Sequence, residues 1–190
     1  ILPTLNEAAT IGSIVADTKH ALMDERPLLD EIIVMDDGRS TDGTFECAVN
    51  AGAVVHRVDD VLKERGFPPG KGTALWKSLS VSSGDIIVYV DADITNYHPR
   101  FVYGLVAPLV LHADISFVKA FYDRPLEMDG TVLEHQGGRV TEILVRPFLS
   151  AFYPELARLF QPLAGEYAFR RDIAGQVSFF SGYGVEIGLI

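Results

Sequence analysis

Four short runs rich in β-branched residues constrain this chain more than any other feature: EIIVMDD (residues 31–37), AVVHRV (53–58), DIIVYVDAD (85–93) and DISFVKAFY (114–122). Such runs, bounded by turn residues, read as buried strands. Helical patterns separate them. Ile11, Ile14, Val15 and Leu22 recur on one helical face, residues 72–83 form a second helical segment, and residues 99–111 a third. Strand and helix therefore alternate, which predicts an α/β fold with a mostly parallel sheet flanked by helices. Ligands of such sheets sit at the carboxyl ends of the strands. After Arg124 a polar stretch, PLEMDGTVLEHQGGR, leads into amphipathic segments over residues 141–160, which Pro147 and Pro154 are expected to divide. We expect residues 1–124 to be the ligand-binding core and residues 125–190 an appended region of the same domain.

The chain has 190 residues, 48% of them hydrophobic, enough for one sizeable core. Its longest apolar stretch, residues 101–118, is broken by Pro108, His112 and Asp114, short of the roughly 20 apolar residues a membrane span needs. The single cysteine, Cys47, has no partner for an internal disulfide, and a cytoplasmic location is expected. A net charge of −10 argues against nucleic acid as a partner. The chain opens on what reads as a strand end and closes within what reads as a helix, so both termini are expected to continue.

The chemistry gathers at strand ends. Asp91, Ala92 and Asp93 close the third run, and two carboxylates leaving one buried strand together suit a hard divalent cation such as Mg²⁺ or Mn²⁺, with diphosphate oxygens completing the shell. An ordinary solvated strand end looks the same in isolation. A second acidic loop, VMDDGRSTDGT, puts Asp36 and Asp37 at another terminus, where turn formation and a helix N-cap at Ser40 or Thr41 are equally natural uses. The loop from Pro3 to Glu7 offers Asn6 and its backbone to a nucleobase. GFPPGKG (66–72) departs from the Walker spacing and from GxGxxG. Its Lys71 still stands at a helix start, placed to meet a nucleotide phosphate or base.

In this order, LPTLNEAATI, VMDDGRSTDGT, GKGTAL and the DAD strand end resemble the GT-A (Rossmann-like) glycosyltransferases. GKGTALWKSL, FVKAFYDRPL, GGRVTEILVRPFL, QPLAGEYAFRR and GYGVEIGLI are similar to the family of glucosyl- and mannosyl-3-phosphoglycerate synthases. That resemblance implies a retaining, Mg²⁺-dependent transfer of a hexose from a nucleoside diphosphate sugar to the 2-hydroxyl of 3-phosphoglycerate, a step in glucosylglycerate or mannosylglycerate synthesis. It assigns the donor to Pro3, Leu5, Asn6, Glu7, Asp37, Lys71, Asp91, Ala92, Gly165 and Tyr183, with Glu166 beside the hexose, and the metal to Asp93. The acceptor falls to Gly138, Arg139, Val140 and Thr141, where Gly137 and Gly138 permit close backbone approach and Thr141 opens a helix that favours phosphate. Glu186 and Asp93 are the residues expected to be catalytic, Glu186 as a positioning group or a base; a helix-start glutamate serving the macrodipole is its plainer use.

Several positions depart from the glucosyl pattern: DAD stands for DSD, Asp37 for a serine, and PLAG for PLSG or PLGG. GDP-mannose, GDP-glucose and UDP-glucose therefore remain open as donors. The family's third metal contact, a histidine, is expected beyond residue 190. Two alternatives stand beside this reading, a polyprenyl-phosphate glycosyltransferase and a sugar-nucleotide-binding protein without turnover. The apolar residues 148–159 are expected to serve the core first and a homodimer contact second.

Overall fold

The computed structural model describes residues 1–66, 68–122, 126–128, 131–133 and 138–190; the Arg124 boundary and Gly137 lie outside the described residues. The alternation appears as expected. Strand β1 (Leu2–Thr4) is followed by helix α1 (Ile11–Lys19), β2 (Ile33–Asp36), α2 (Thr44–Ala51), β3 (Val54–Arg57), α3 (Lys71–Ser78) and β4 (Ile86–Tyr89). Then come α4 (Arg100–Leu111), β5 (Phe117–Lys119), the antiparallel pair β6 (Leu126–Met128) and β7 (Thr131–Leu133), α5 (Arg146–Phe152), β8 (Tyr167–Arg170) and α6 (Val185–Gly188).

β1, β2 and β3 pair in parallel, with Leu2 opposite Val34 and Val34 opposite Val55. The Ile1 nitrogen donates to the Val88 carbonyl and the Val90 N–H to the Ile1 carbonyl, so β4 runs parallel along the other side of β1. β8 lies antiparallel between β4 and β5. The strand order is thus β3-β2-β1-β4-β8-β5. It changes direction between β1 and β4, the switch point at which open α/β sheets form their binding crevice.

Period-two alternation decides which helix covers which face. Val34 meets Ile11, Ile14, Val15 and Ala48 of α1 and α2, whereas its neighbours Ile33 and Met35 pack with Ala74 of α3 on the reverse. Likewise Val88 and Val90 face Val102, Leu105, Val106 and Leu109 of α4, while Ile87 and Tyr89 face Leu75 and, from α6, Val185. Burial on both faces explains why these runs are continuously apolar.

Several expectations need correction. β8 falls in QPLAGEYAFRR, which the sequence reading took as a motif rather than a strand. The cap at Ser40 or Thr41 does not form: α2 starts at Thr44, whose N–H donates to Asp42 Oδ1 at 3.1 Å. And residues 148–159 do not serve the core first, because only Leu149 is buried there whereas Phe148, Phe152 and Tyr153 are exposed, as are Ile143, Leu144 and Phe160 beside them. Pro147 sits in the first turn of α5 and the helical backbone of residues 141–146 runs on through it, so it does not divide the segment as expected, whereas Pro154 follows the end of α5 and does. Among the described residues no helix is long and apolar enough to cross a membrane.

Candidate active site

The crevice is floored by Asp91, which leaves β4 at its carboxyl end. Lys71, the first residue of α3, reaches it: its ammonium lies 2.5 Å from Asp91 Oδ1 and 2.8 Å from Glu186 Oε1 of α6. Burial works against this ammonium, but the two carboxylates outweigh it and hold Lys71 at about 12, above the usual 10.5. Glycines make the convergence possible. A Cβ on Gly72 would fall 1.8 Å from the Phe180 carbonyl oxygen, and one on Gly70, at φ +136°, 3.2 Å from Gly182. GKG is therefore the place where the backbone of residues 180–182 closes onto α3 and brings Glu186 to Lys71. The Lys71 ammonium is held between two carboxylates.

Gly165 closes the top. A Cβ there would lie 2.1 Å from Asp91 Oδ2 and 2.6 Å from Lys71 Nζ, so a side chain at 165 would displace the paired groups. Around it opens a cavity of about 1200 Å³ lined by Lys71, Asp91, Asp93, Arg100, Lys119, Tyr122, Gly138, Glu166 and Glu186, among others. Two buried carboxyl oxygens in its wall, Glu166 Oε2 and Glu186 Oε2, have no hydrogen-bond partner among the described residues. Burial, then Asp91, pushes the Glu166 carboxyl upward.

The other expected donor residues form the neighbouring rim. The Thr10 hydroxyl donates to the buried Ala92's carbonyl at 2.5 Å, fixing the DAD turn against α1. Asn6, at φ +60°, accepts the Thr41 N–H on Oδ1 at 2.9 Å and donates its own N–H to Ser40 Oγ, so it ties the two loops together. Asp36 is spent on the turn, accepting from Ser40 Oγ at 2.7 Å, and the buried Asp37 is gripped by Arg39 through two hydrogen bonds. Pro3 lies within β1 opposite Met35, and Leu5 is exposed beyond it. Burial raises the Glu7 carboxyl, and the like charges of Asp93, Asp42 and Asp91 raise it further.

Of the acceptor segment, Gly138 at φ +74° lines the cavity, Arg139 and Val140 are exposed, and Thr141 is buried at the start of the helical turn leading to α5. The Tyr183 backbone lies in the turn before α6, and nothing is described of its side chain. The structure thus gathers Lys71, Asp91, Asp93, Gly138 and Glu186 around one cavity, with Gly165 against Asp91 and Lys71, and leaves Leu5 exposed after β1 and Arg139 exposed in the helical turn before Thr141. Sequence reasoning missed Lys119 and Arg100. The signal for Lys119 was a lone lysine in an apolar strand run, for Arg100 none.

Among the described residues, no three His, Cys, Asp or Glu are arranged to hold a metal ion. The donor set fits a hard cation in part. Asp93 is exposed at the cavity wall, and its repulsion of Glu7 is what a divalent ion would relieve.

An open α/β sheet with an acid pair leaving a strand at its switch-point crevice defines a GT-A glycosyltransferase fold. The chain belongs to glycosyl transferase family 2, whose model matches residues 1–161. It is 54% identical over 185 residues to a glucosyl-3-phosphoglycerate synthase of Petrotoga mobilis, covering 97% of this chain and 57% of that protein. With the enzyme of that name from Mycobacterium tuberculosis (strain H37Rv) it shares 48% identity over 193 residues, covering 100% of this chain and 58% of that one. A crystal structure of the M. tuberculosis enzyme in complex with Mn²⁺, UDP-glucose and phosphoglyceric acid superimposes with a TM-score of 0.86 at 46% identity, covering 99% of this chain and 61% of that chain. The chain spans about three fifths of the length of these relatives.

Proposed function

We propose that this chain forms the donor-binding part of a retaining hexosyltransferase that moves glucose from UDP-glucose to the 2-hydroxyl of 3-phosphoglycerate. The observation that carries the reading is one cavity shared by the Asp91–Lys71–Glu186 ion pairs, the acid Asp93 and the acceptor-side Gly138. The relatives' glucosyl names favour UDP-glucose over GDP-mannose or GDP-glucose, despite the DAD, Asp37 and PLAG departures. Substrates this charged stay on the side of a membrane where they are made, which suits a cytoplasmic enzyme.

Asp93, with Asp91 beside it, would hold Mg²⁺ or Mn²⁺, which when bound neutralises charge on the leaving diphosphate. Lys71 fixes Asp91 and Glu186 and leaves Glu186 Oε2 as a buried acceptor that orients a hydroxyl. The Gly138–Thr141 segment, with Arg139, receives the acceptor phosphate. Asp91 and Glu186 are both tied to the one Lys71 ammonium, which makes either a poor covalent nucleophile; we therefore assign attack from the leaving-group face over double displacement. The exposed Ile143, Leu144, Phe148, Phe152 and Phe160 form the face we assign to a homodimer contact.

The test is turnover of the full-length protein with 3-phosphoglycerate and Mg²⁺, comparing UDP-glucose, GDP-glucose and GDP-mannose, beside Asp93→Ala and Arg139→Ala. Hexosyl-phosphoglycerate from one preferred donor, lost in both variants, is expected. Donor binding without product would leave a sugar-nucleotide-binding protein, and transfer to a polyprenyl phosphate instead would move the acceptor.

A further inference from the structure

The cavity holds a cation that no role above absorbs. Lys119 ends β5 opposite Tyr167, and its ammonium lies 4.8 Å from that ring's centroid. It donates to the Ala164 carbonyl at 2.9 Å. An ammonium has three donors, and among the described residues no carboxylate lies within 4.0 Å to take the other two. Lys71, by contrast, is spent on Asp91 and Glu186. Lys119 lines the same cavity as Tyr122, Gly138, Asp91 and Asp93.

Resting on the function proposed above, 3-phosphoglycerate brings two anionic ends to this cavity. The Gly138–Thr141 segment accounts for its phosphate and leaves the carboxylate without a partner. We propose that Lys119 receives the acceptor's carboxylate, and so makes the site select a phosphorylated hydroxy acid over a phosphorylated alcohol. The groups facing Lys119 support this. Burial, helped by Lys71, outweighs the pull of Glu186, Glu166 and Asp91 and leaves the Lys119 ammonium at about 8, below the usual 10.5. A ligand carboxylate supplies the missing counter-ion and draws a proton onto the amine.

The experiment measures binding of 3-phosphoglycerate and of glycerol 3-phosphate, which lacks the carboxylate, to full-length protein loaded with UDP and Mg²⁺. Lys119→Met, which keeps the stem and drops the charge, is expected to weaken 3-phosphoglycerate by about 10- to 100-fold, the scale of a charged hydrogen bond, and to leave glycerol 3-phosphate within about twofold. Lys119→Arg restores selectivity and, staying charged, keeps it above pH 8, where the wild type loses it. Calorimetry in buffers of different ionisation enthalpy is expected to show proton uptake near pH 8 in the wild type and none in either variant. An equal loss for both ligands, or a loss confined to UDP-glucose, overturns the assignment in favour of a structural or donor role. Unchanged binding in a folded Lys119→Met overturns it outright. A wild type that binds UDP but not 3-phosphoglycerate overturns the acceptor itself, a failure distinct from that of Lys119.

Discussion

Replacing Gly72 by alanine tests how the site is assembled, because two opposing effects act on one methyl group. Gly72 sits in the first turn of α3, where alanine is favoured over glycine by about 1 kcal/mol through helix propensity alone. Against this, the new Cβ would stand 1.8 Å from the Phe180 carbonyl oxygen, 2.9 Å from its carbon and 3.2 Å from Val185 Cβ. The carbonyl would have to retreat by about 1.6 Å to reach ordinary contact. It is backbone and cannot swing aside. Overpacking costs about 1–3 kcal/mol and a backbone clash this close stands at the upper end, so sterics win and the net loss is up to about 2 kcal/mol, or up to roughly 8 °C in Tm for a domain of this size. Function should suffer more than stability. The displaced segment carries Glu186, and a misplacement of about 1 Å can cost on the order of 100-fold in rate. The assay pairs thermal melts with kcat and uses Gly12→Ala as control. In α1 that Cβ meets nothing nearer than the Cys47 carbonyl at 4.0 Å, so the same substitution is expected to gain up to about 1 kcal/mol. If Gly72→Ala gains stability as Gly12→Ala does and keeps its rate, the close approach of residues 180–182 to α3 is refuted.

Lys71→Met strands two carboxylates, and a loss of about 3–5 kcal/mol is expected in denaturant melts, partly recovered by adding Glu186→Gln; an equal loss in single and double variants would contradict the pairing. Because Lys71 is raised from 10.5 to about 12, its contribution is intact below 10.5 and disappears as pH rises through 12, an alkaline limb that Lys71→Met should lack. Glu7 is also raised, so its stabilising protonated form is present at acid pH and lost as pH rises through its folded value. Glu7→Gln is therefore expected to raise Tm at pH 7 without metal and to lose that advantage when Mg²⁺ is added; a lower Tm without metal would count against the clustering of Glu7 with Asp93. Phe152→Ser removes an exposed ring whose centroid lies 4.8 Å from that of Phe148 and should shift light-scattering mass from dimer toward monomer, with Tm changed little at low protein concentration; an unchanged mass removes this face from the proposed interface.

The strands legible in the sequence are those whose apolar runs answer to both faces of the sheet. Ile33, Val34 and Met35 cannot be placed anywhere but the interior, and Asp36, buried with them, ends the strand. β8 escaped because YAFR is short and ends in arginine, and its partners lie about 50 and 80 residues upstream. The arginines that look like surface charge are staples. Arg170 donates Nε to the Ile115 carbonyl at 3.0 Å, and Arg171 reaches the Gly84 and Leu79 carbonyls at 2.7 and 3.0 Å. In the site, Asp91, Asp93, Lys71 and Glu186 were legible as residues but not as a network. The contact that joins them is made by the absence of side chains at Gly72 and Gly165, and sequence spacing does not say what a glycine lets in.

The charges around the cavity explain why an acidic chain should require a metal to hold a polyanion. Asp91, Asp93, Glu166 and Glu186 line it against Lys71, Lys119 and Arg100, so among the described lining residues the balance is negative, and neutral at best if the raised Glu166 is protonated. Lys71 offers little further attraction, being already saturated by two carboxylates. A diphosphate approaching this wall meets no net favourable field until a divalent ion at Asp93 reverses its sign. Donor binding should therefore depend on Mg²⁺ far more steeply than acceptor binding, for which Arg139 is the proposed partner. Titrating UDP and 3-phosphoglycerate by calorimetry with Mg²⁺ and then with EDTA separates the two. Loss of UDP affinity by more than about 100-fold on chelation, beside a change of less than about threefold for 3-phosphoglycerate, is expected from this balance. UDP binding that survives chelation would mean that the nucleotide is held by the Asn6 and Asp37 loops instead, and that the acid pair at the end of β4 serves another purpose.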